Sequence, residues 1–325
     1  MRALAFPGQG SQYVGMGASL IKKSKVAASV FAAAESVLPG LTAMMGEGPE
    51  SALNETAMTQ PAVLTHAYAA YMAYACGDVV LPGAEAGEGG VEGAREPDYF
   101  LGHSLGEFTA ATAAGALAFE DALAIVHQRG KAMQEAVPAG QGMMAALMPC
   151  DARAAAAAVD EVIHADFAGG DARVVGVANV NAPSQVVVSG SAGAVEDVIR
   201  VAKAKYGVRR ASKLPVSAPF HCSLMGPAAD VVAHMLTHKV EVRDPVVPLI
   251  VNVSASPVST AHELIEALVA QTTAPVLWFP SLTWLMNVAG VSEFVHLGPG
   301  RRKLDAFANA ASGVAGTSIH LHGIE

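Results

Sequence analysis

The stretch DYFLGHSLGEF, residues 98–108, constrains this chain more than any other part of its sequence. A short strand-like run ends in Gly102, Ser104 and Gly106 at GxSxG spacing, and a helical pattern starts at Leu105. A strand turning sharply into a helix around a central serine is a nucleophile elbow, which stands at the edge of a parallel sheet. The glycines remove side chains that would clash in the turn, so Ser104 projects its hydroxyl into a cleft. The N–H of Leu105, at the helix start, is then placed to face a developing oxyanion. With 32 glycines in the chain, a turn without chemistry is the alternative for so short a pattern.

The rest of the chain alternates in the way such a sheet requires. ALAF at 3–6 reads as a strand, 16–37 as a helix, and Pro61 as the first residue of the next helix, where its missing N–H costs nothing. Residues 83–97, rich in glycine and glutamate, read as a mobile surface insertion. Helices are predicted over 105–114 and 120–136. In the middle of the chain GMMAAL, VVGVANV and SQVVVSG read as strands, with an alanine-rich helix at 151–163. Val195, Val198, Ile199 and Ala202 then recur at helical spacing, with Glu196, Asp197, Arg200 and Lys203 on the other face. Strand, helix, two strands, helix, strand is the order of a ferredoxin-like unit. From Lys213 onward VPLIVNV and EFVHLG read as strands and 262–271 and 278–289 as helices. The expected fold is α/β: an α/β-hydrolase-like core with a parallel sheet, built from residues 1–136 and 213–325 and interrupted by a small ferredoxin-like subdomain at 137–212.

Composition excludes several functions. A net charge of −9 argues against nucleic acid as the main partner, because phosphate binding needs a basic surface. Cys76, Cys150 and Cys222 form no CxxC pair and suit a reducing compartment. The uncharged runs 56–77 and 272–292 are long enough to span a bilayer, but Gln60, Pro61 and His66 interrupt the first and Pro275 and Pro280 the second. They read as buried core segments. MRALAF lacks the apolar region and cleavage site of a signal peptide. A soluble intracellular, unsecreted protein is expected.

A nucleophilic serine needs a base, and eleven histidines compete for the role. His127 and His296 read as partly buried members of a helix and a strand. His234 and His238 stand four apart but lack the glutamate of HExxH, so they read as a helix surface and no metal site is predicted. His320 and His322 lie near the C-terminal end, where an α/β-hydrolase keeps its base, and Asp305 would complete that arrangement. His221 is the better candidate, because VSAPFHCSLM delivers its imidazole from a loop. The glycine loop FPGQGSQ, residues 6–12, has Tyr13 where a dinucleotide fingerprint needs its third glycine, yet its backbone N–H groups remain open to a negative charge.

Together FPGQGSQ, GHSLGEF, QRGKAMQEAVP, NVNAPSQVVVSG, PVSAPFHCSLMGPAAD and HLGPGRRK occur in an order that resembles the malonyl-CoA:acyl carrier protein transacylases, the malonyltransferases of type II fatty acid synthesis. The resemblance spans essentially the whole chain, with the acidic insertion as its main departure. It implies that Ser104 is the acylated nucleophile and His221 its general base, oriented by a backbone carbonyl that Gln271 supplies. It also implies that the N–H groups of Gln9 and Leu105 form the oxyanion hole. Arg129 would pair with the malonyl carboxylate, a role that a guanidinium's parallel donors suit on chemical grounds as well. His103, Phe220 and Asn181 would complete the substrate pocket.

The implied reaction is ping-pong transfer from malonyl-CoA to acyl carrier protein through a malonyl-serine, with no metal or redox cofactor, by a monomer in a bacterial cytoplasm or, in a eukaryote, the mitochondrial matrix. A serine esterase or thioesterase, a polyketide-pathway acyltransferase and a noncatalytic carrier-binding domain are the alternatives. An acidic enzyme receiving an acidic carrier protein needs a local basic surface. KAKYGVRRASK, with Lys203, Lys205, Arg209, Arg210 and Lys213, fits that need, and Arg209 and Arg210 are the predicted docking residues for carrier protein or CoA.

Overall fold

The computed structural model describes residues 1–79, 96–164 and 173–325. Residues 80–95, which hold most of the expected insertion, lie outside the described residues. In chain order the strands are β1 (Arg2–Phe6), β2 (Tyr99–Gly102), β3 (Gly142–Met148), β4 (Val175–Ala182), β5 (Gln185–Ser191), β6 (Arg210–Lys213), β7 (Leu249–Ile250), β8 (Pro257–Val258), β9 (Glu293–Leu297) and β10 (His320–Ile324). The larger sheet has the order β10-β9-β1-β2-β7-β8, parallel except for β8 at its edge. The chain is thus an α/β protein on a parallel sheet. The smaller sheet, β4-β5-β3-β6, is antiparallel throughout. That order is the one a strand-helix-strand-strand-helix-strand unit adopts in the ferredoxin-like arrangement.

Strand alternation assigns each residue of the large sheet to one of two cores. Leu4, Phe6, Phe100, Leu249 and Val295 face the larger one, under the helices Lys25–Val37, Thr56–Ala75 and Phe119–Glu135. There Phe6, Tyr71 and Phe100 make edge and stacked contacts with centroids 5.7–6.2 Å apart. Ala3, Ala5, Leu101, Ile250 and Phe294 face the other core, under the helices Trp278–Asn287 and Arg301–Ala315. In the small sheet Ala145 and Leu147 pack on the helices Ala152–His164 and Ala192–Lys205. Met144, Ala146 and Met148 point the opposite way, into a cleft between the two sheets. Hydrogen bonds from Val180 N to Val276 O (2.9 Å) and from Val276 N to Ala178 O (2.8 Å) tie the small sheet to the segment that enters the helix Trp278–Asn287.

Three sequence expectations need correction. The helix expected over 16–37 is two, Ala18–Lys23 and Lys25–Val37, because Ser24 adopts extended backbone and caps the second by accepting from Ala27 N. VPLIVNV contributes only Leu249–Ile250 as strand. The chain then reverses through Val251 N to Ser256 O and Ala255 N to Val251 O bonds, with Ala255 at φ 53°. Pro61 does not start a helix but lies inside Thr56–Ala75, a helix buried on nearly every side. No single helix among the described residues is long and apolar enough to cross a membrane.

An interior proline normally leaves the carbonyl four residues earlier without its donor. Here that acceptor is Ala57 O, and His127 Nδ1–H from the neighbouring helix donates to it at 2.9 Å. The two helices approach closely there, since a Cβ on Gly130 would lie 2.6 Å from Thr56 O. His127→Leu should therefore cost about 1–2 kcal/mol. The loss should shrink in a Pro61→Ala background, where residue 61 regains an N–H. A double-mutant cycle by urea unfolding measures the coupling, and strict additivity would show that the histidine and the proline are independent.

Candidate active site

At the C-terminal edge of the large sheet, where open α/β sheets bind ligands, β1 and β2 end side by side with Phe6 opposite Gly102. Ser104 follows at φ 53° and ψ −106°, a conformation that side chains avoid. The glycines around it are sterically required. A Cβ on Gly102 would lie 1.9 Å from the Gly106 carbonyl carbon, and one on Gly106 would lie 2.4 Å from Phe6 O. Buried Asn252, just past β7, clamps the turn: its Oδ1 accepts from Ser104 N and its Nδ2 donates to Gly102 O, both at 2.7 Å. Glu107 Oε2 in turn accepts from Asn252 N at 2.8 Å, and burial pushes the Glu107 carboxyl up to about 8.

The glycine loop after β1 lies directly on this turn, because a Cβ on Gly8 would stand 2.5 Å from His103 O. Gln9 Nε2 donates to Thr56 Oγ1 at 3.1 Å, and Gly10 N to Gln12 Oε1 at 2.8 Å. Among the described residues no protein acceptor takes the N–H of Gln9 or of Leu105. His221 arrives from the loop after β6 and is also held at positive φ, 59°. Its Nδ1–H donates to the main-chain carbonyl of Gln271 at 2.8 Å, which leaves the Nε2 lone pair to accept from Ser104 Oγ–H at 2.7 Å. Burial, reinforced by the nearby Arg129 charge, lowers the imidazole to about 3, so it is the neutral, proton-accepting form that waits on the serine.

Arg129 is buried, stacked over Phe108 at 5.4 Å, and remains cationic although burial lowers it to about 10. Its Nη1 donates to Gln60 Oε1 at 2.8 Å, and its Nη2 donates to Gln271 Oε1 at 3.0 Å and more weakly to Ser104 Oγ at 3.4 Å. His103 Nε2–H donates to Asn181 Oδ1 at 2.8 Å and packs on Trp278. Ser104, His221, Arg129, His103, Leu105, Gln9, Asn181 and Phe220 thus line one cleft of about 560 Å³, with Gln271 immediately behind it.

Of the basic stretch, Arg210 lines the cleft beside Ser212, whereas Arg209 is exposed outside it. Lys205 and Lys213 are paired with Glu161 and Glu196. The rival hydrolase arrangement does not assemble. His320 pairs in register with Glu293 at the opposite end of the sheet from the elbow, and Asp305 is engaged by His296 Nδ1 (2.5 Å) and Arg301 Nε (3.0 Å). His234 and His238 stack on each other at 5.0 Å, and among the described residues no group of acidic, His and Cys side chains could hold a metal. Sequence reasoning missed Asn252, Gln60 and Lys303, all of which touch the elbow, Arg129 or the cleft. The available signals were a polar residue directly after an apolar strand and a glutamine inside an uncharged run.

The chain is similar to known proteins over most of its length. A family model described as acyl transferase domain matches residues 4–289. Over 300 residues the chain is 38% identical to the malonyl CoA-acyl carrier protein transacylase of Bacillus subtilis (strain 168), a match covering 92% of this chain and 87% of that protein. An acyl carrier protein S-malonyltransferase structure from Vibrio cholerae aligns with a TM-score of 0.86 at 34% identity, covering 100% and 96% of the two chains. A malonyl-transacylase solved in complex with its type II PKS acyl-carrier protein aligns at 0.87 and 35%, covering 99% and 95%.

The buried histidines make acid stability a test of the geometry. His66 and His103 are lowered to about 4 and His221 to about 3, chiefly by burial, whereas an unfolded histidine titrates near 6.5. Between about pH 4.5 and 6.5, most fully near the middle of that window, the unfolded chain therefore holds up to three histidine protons that the folded one lacks, and folded Glu107 holds up to one that the unfolded chain lacks. Unfolding takes up a net two protons from these groups, so stability should fall on acidification by up to about 2.7 kcal/mol per pH unit in that window. Buried His296 shifts in the same sense. Urea titrations from pH 4.5 to 7 check this, and a flat or rising stability toward acid would contradict it.

Proposed function

Because this chain belongs to the acyl transferase family, we propose that its cleft passes a malonyl group from malonyl-CoA to the phosphopantetheine thiol of acyl carrier protein, supplying fatty acid synthesis. The observation that carries the choice of acyl group is Arg129, a buried guanidinium beside the Ser104 hydroxyl whose Nε has no partner among the described residues. An enzyme for uncharged acyl groups gains nothing from such a cation. A substrate ending in a carboxylate gains charge-assisted hydrogen bonds strengthened by the exclusion of water.

The steps follow from the hydrogen bonds. His221 Nε2 takes the Ser104 proton as Oγ attacks the thioester carbon, and the resulting oxyanion is received by the N–H groups of Gln9 and Leu105. CoA leaves as the thiol, taking the proton from His221, and malonyl-serine remains. The carrier thiol then gives its proton to His221 and attacks the ester, and Ser104 Oγ recovers the proton as malonyl-carrier protein departs. A thioester is exchanged for a thioester, so no redox cofactor is called for, and the serine-histidine pair supplies the proton transfers without a metal. The malonyl carboxylate also tunes the base, since pairing with Arg129 offsets the charge that disfavours the imidazolium.

In this reading residues 1–136 and 213–325 carry the chemistry, and 137–212 form the opposite wall. Asn181 from that wall orients His103, and Phe220 bounds the acyl pocket. Arg210, with Arg209 just outside, receives the acidic carrier protein or CoA phosphates. The protein acts as a monomer inside the cell, in a cytoplasm or an organelle matrix, and its free cysteines suit that setting.

Intact mass after brief exposure to malonyl-CoA tests the assignment. Ser104→Ala should gain no malonyl mass, and His221→Ala should acylate roughly two to four orders of magnitude more slowly. Arg129→Ala should lose malonyl transfer and gain acetyl transfer in relative terms. Equal loss of both would reduce Arg129 to a structural role. For docking, Arg209→Glu with Arg210→Glu should raise KM for carrier protein and weaken its salt dependence, while Ser104 stays reactive toward a small uncharged phosphonate. Unchanged carrier kinetics at low ionic strength, where surface charge is least screened, would rule the docking role out.

A further inference from the structure

Arg129 is satisfied by amides, not by an acid. Buried cations are ordinarily paired with carboxylates, because an uncompensated charge in a low-dielectric interior is costly. Here the oxygens of Gln60 and Gln271 take the hydrogen bonds of the two terminal guanidinium nitrogens. Among the described residues no carboxylate is hydrogen-bonded to Arg129, and Glu107, the nearby acid, spends one oxygen on Asn252 N and is held toward its protonated form.

Gln60 is 1% exposed and lines the cleft. Its Nε2 faces Met133 Sδ at 3.6 Å, so the amide turns its oxygen toward the guanidinium. An amide oxygen and a carboxylate oxygen accept the same hydrogen bond from the same place. They differ in charge: the amide leaves the cation's field intact, and the carboxylate would cancel it.

We propose that Gln60 is a specificity-determining residue, which fixes Arg129 through an uncharged oxygen and so reserves the guanidinium's charge for an acyl thioester that ends in a carboxylate. A carboxylate at position 60 would redirect the site to acyl groups without one. The inference rests on the reading of Arg129 as the partner of the acyl carboxylate.

The test compares kcat/KM for malonyl-CoA and acetyl-CoA in Gln60→Glu, Gln60→Met and Arg129→Ala, with thermal unfolding as a check of folding. Gln60→Glu, a near-isosteric change, should lower the malonyl-to-acetyl ratio on the order of a hundredfold, with acetyl transfer held or raised. Gln60→Met removes the hydrogen bond without adding charge and should cost malonyl transfer only about tenfold. A wild-type ratio in Gln60→Glu, equal loss of both acyl groups, or an equal effect of methionine and glutamate would each overturn the proposal. If Arg129→Ala inverts selectivity and Gln60→Glu does not, only the role of Gln60 fails; if Arg129→Ala leaves the malonyl preference intact, the reading beneath it fails. Should Gln60→Glu not fold, Gln271→Glu puts the same charge on the other guanidinium nitrogen and keeps the main-chain carbonyl for His221.

Discussion

The strained turn at Ser104 is the constraint on which the rest of the site depends. A non-glycine residue at φ 53° and ψ −106° costs on the order of 1–3 kcal/mol, and the fold offsets this with contacts made nowhere else. Asn252 bonds the backbone on both sides of the turn. Gly102, Gly106 and Gly8 allow backbone to approach backbone at distances that any Cβ would block. The strain fixes three directions at once: Oγ toward His221 Nε2, the Leu105 N–H toward the cleft, and the glycine loop against the turn. Relaxing Ser104 to an ordinary conformation would misplace all three together.

Around this turn the charges are few and unbalanced. Burial keeps His221 and His103 neutral and biases Glu107 toward its protonated form, whereas buried Arg129 holds a full charge at the centre of the site. A main-chain carbonyl, not a carboxylate, orients His221. An aspartate in that position would stabilise the imidazolium more strongly, but it would also set a permanent negative charge close to where, in the proposed reaction, the malonyl carboxylate comes to rest. A carbonyl selects the tautomer without repelling that anion, so the missing third acid and the buried arginine express one electrostatic requirement.

The strand-to-helix turn at Ser104 and the make-up of the smaller sheet were legible in the sequence because each rests on local pattern, and His221, the histidine preferred among eleven, is the one that meets Ser104. GxSxG between a strand and a helix admits few geometries, and alternating apolar residues in 142–191 declare their sheet. What escaped was set by tertiary contact. Pro61 looked like a helix start because propensity cannot see His127 supplying the missing donor from another helix. VPLIVNV looked like a full strand, yet its later residues turn because Asn252 is needed at the elbow. Arg209 and Arg210 looked equivalent, but strand alternation at the edge of the small sheet puts only Arg210 on the cleft side.

That alternation also explains how one site can serve two very different acyl carriers in turn. The cleft wall opposite the elbow is the face of the small sheet turned away from the helices Ala152–His164 and Ala192–Lys205, with Met144, Ala146, Met148 and Val187 along it. Unbranched methionine side chains adapt their shape at little cost, and an apolar wall makes no demand on the sequence or charge of what slides past it. CoA and carrier protein share only the phosphopantetheine arm, and in the proposed reaction such a wall suits that common element while Arg129 is kept for the acyl end. Arg210 and Lys303 also line the cleft, and in the proposed reaction their charge attracts donor and acceptor alike, since both bear phosphate.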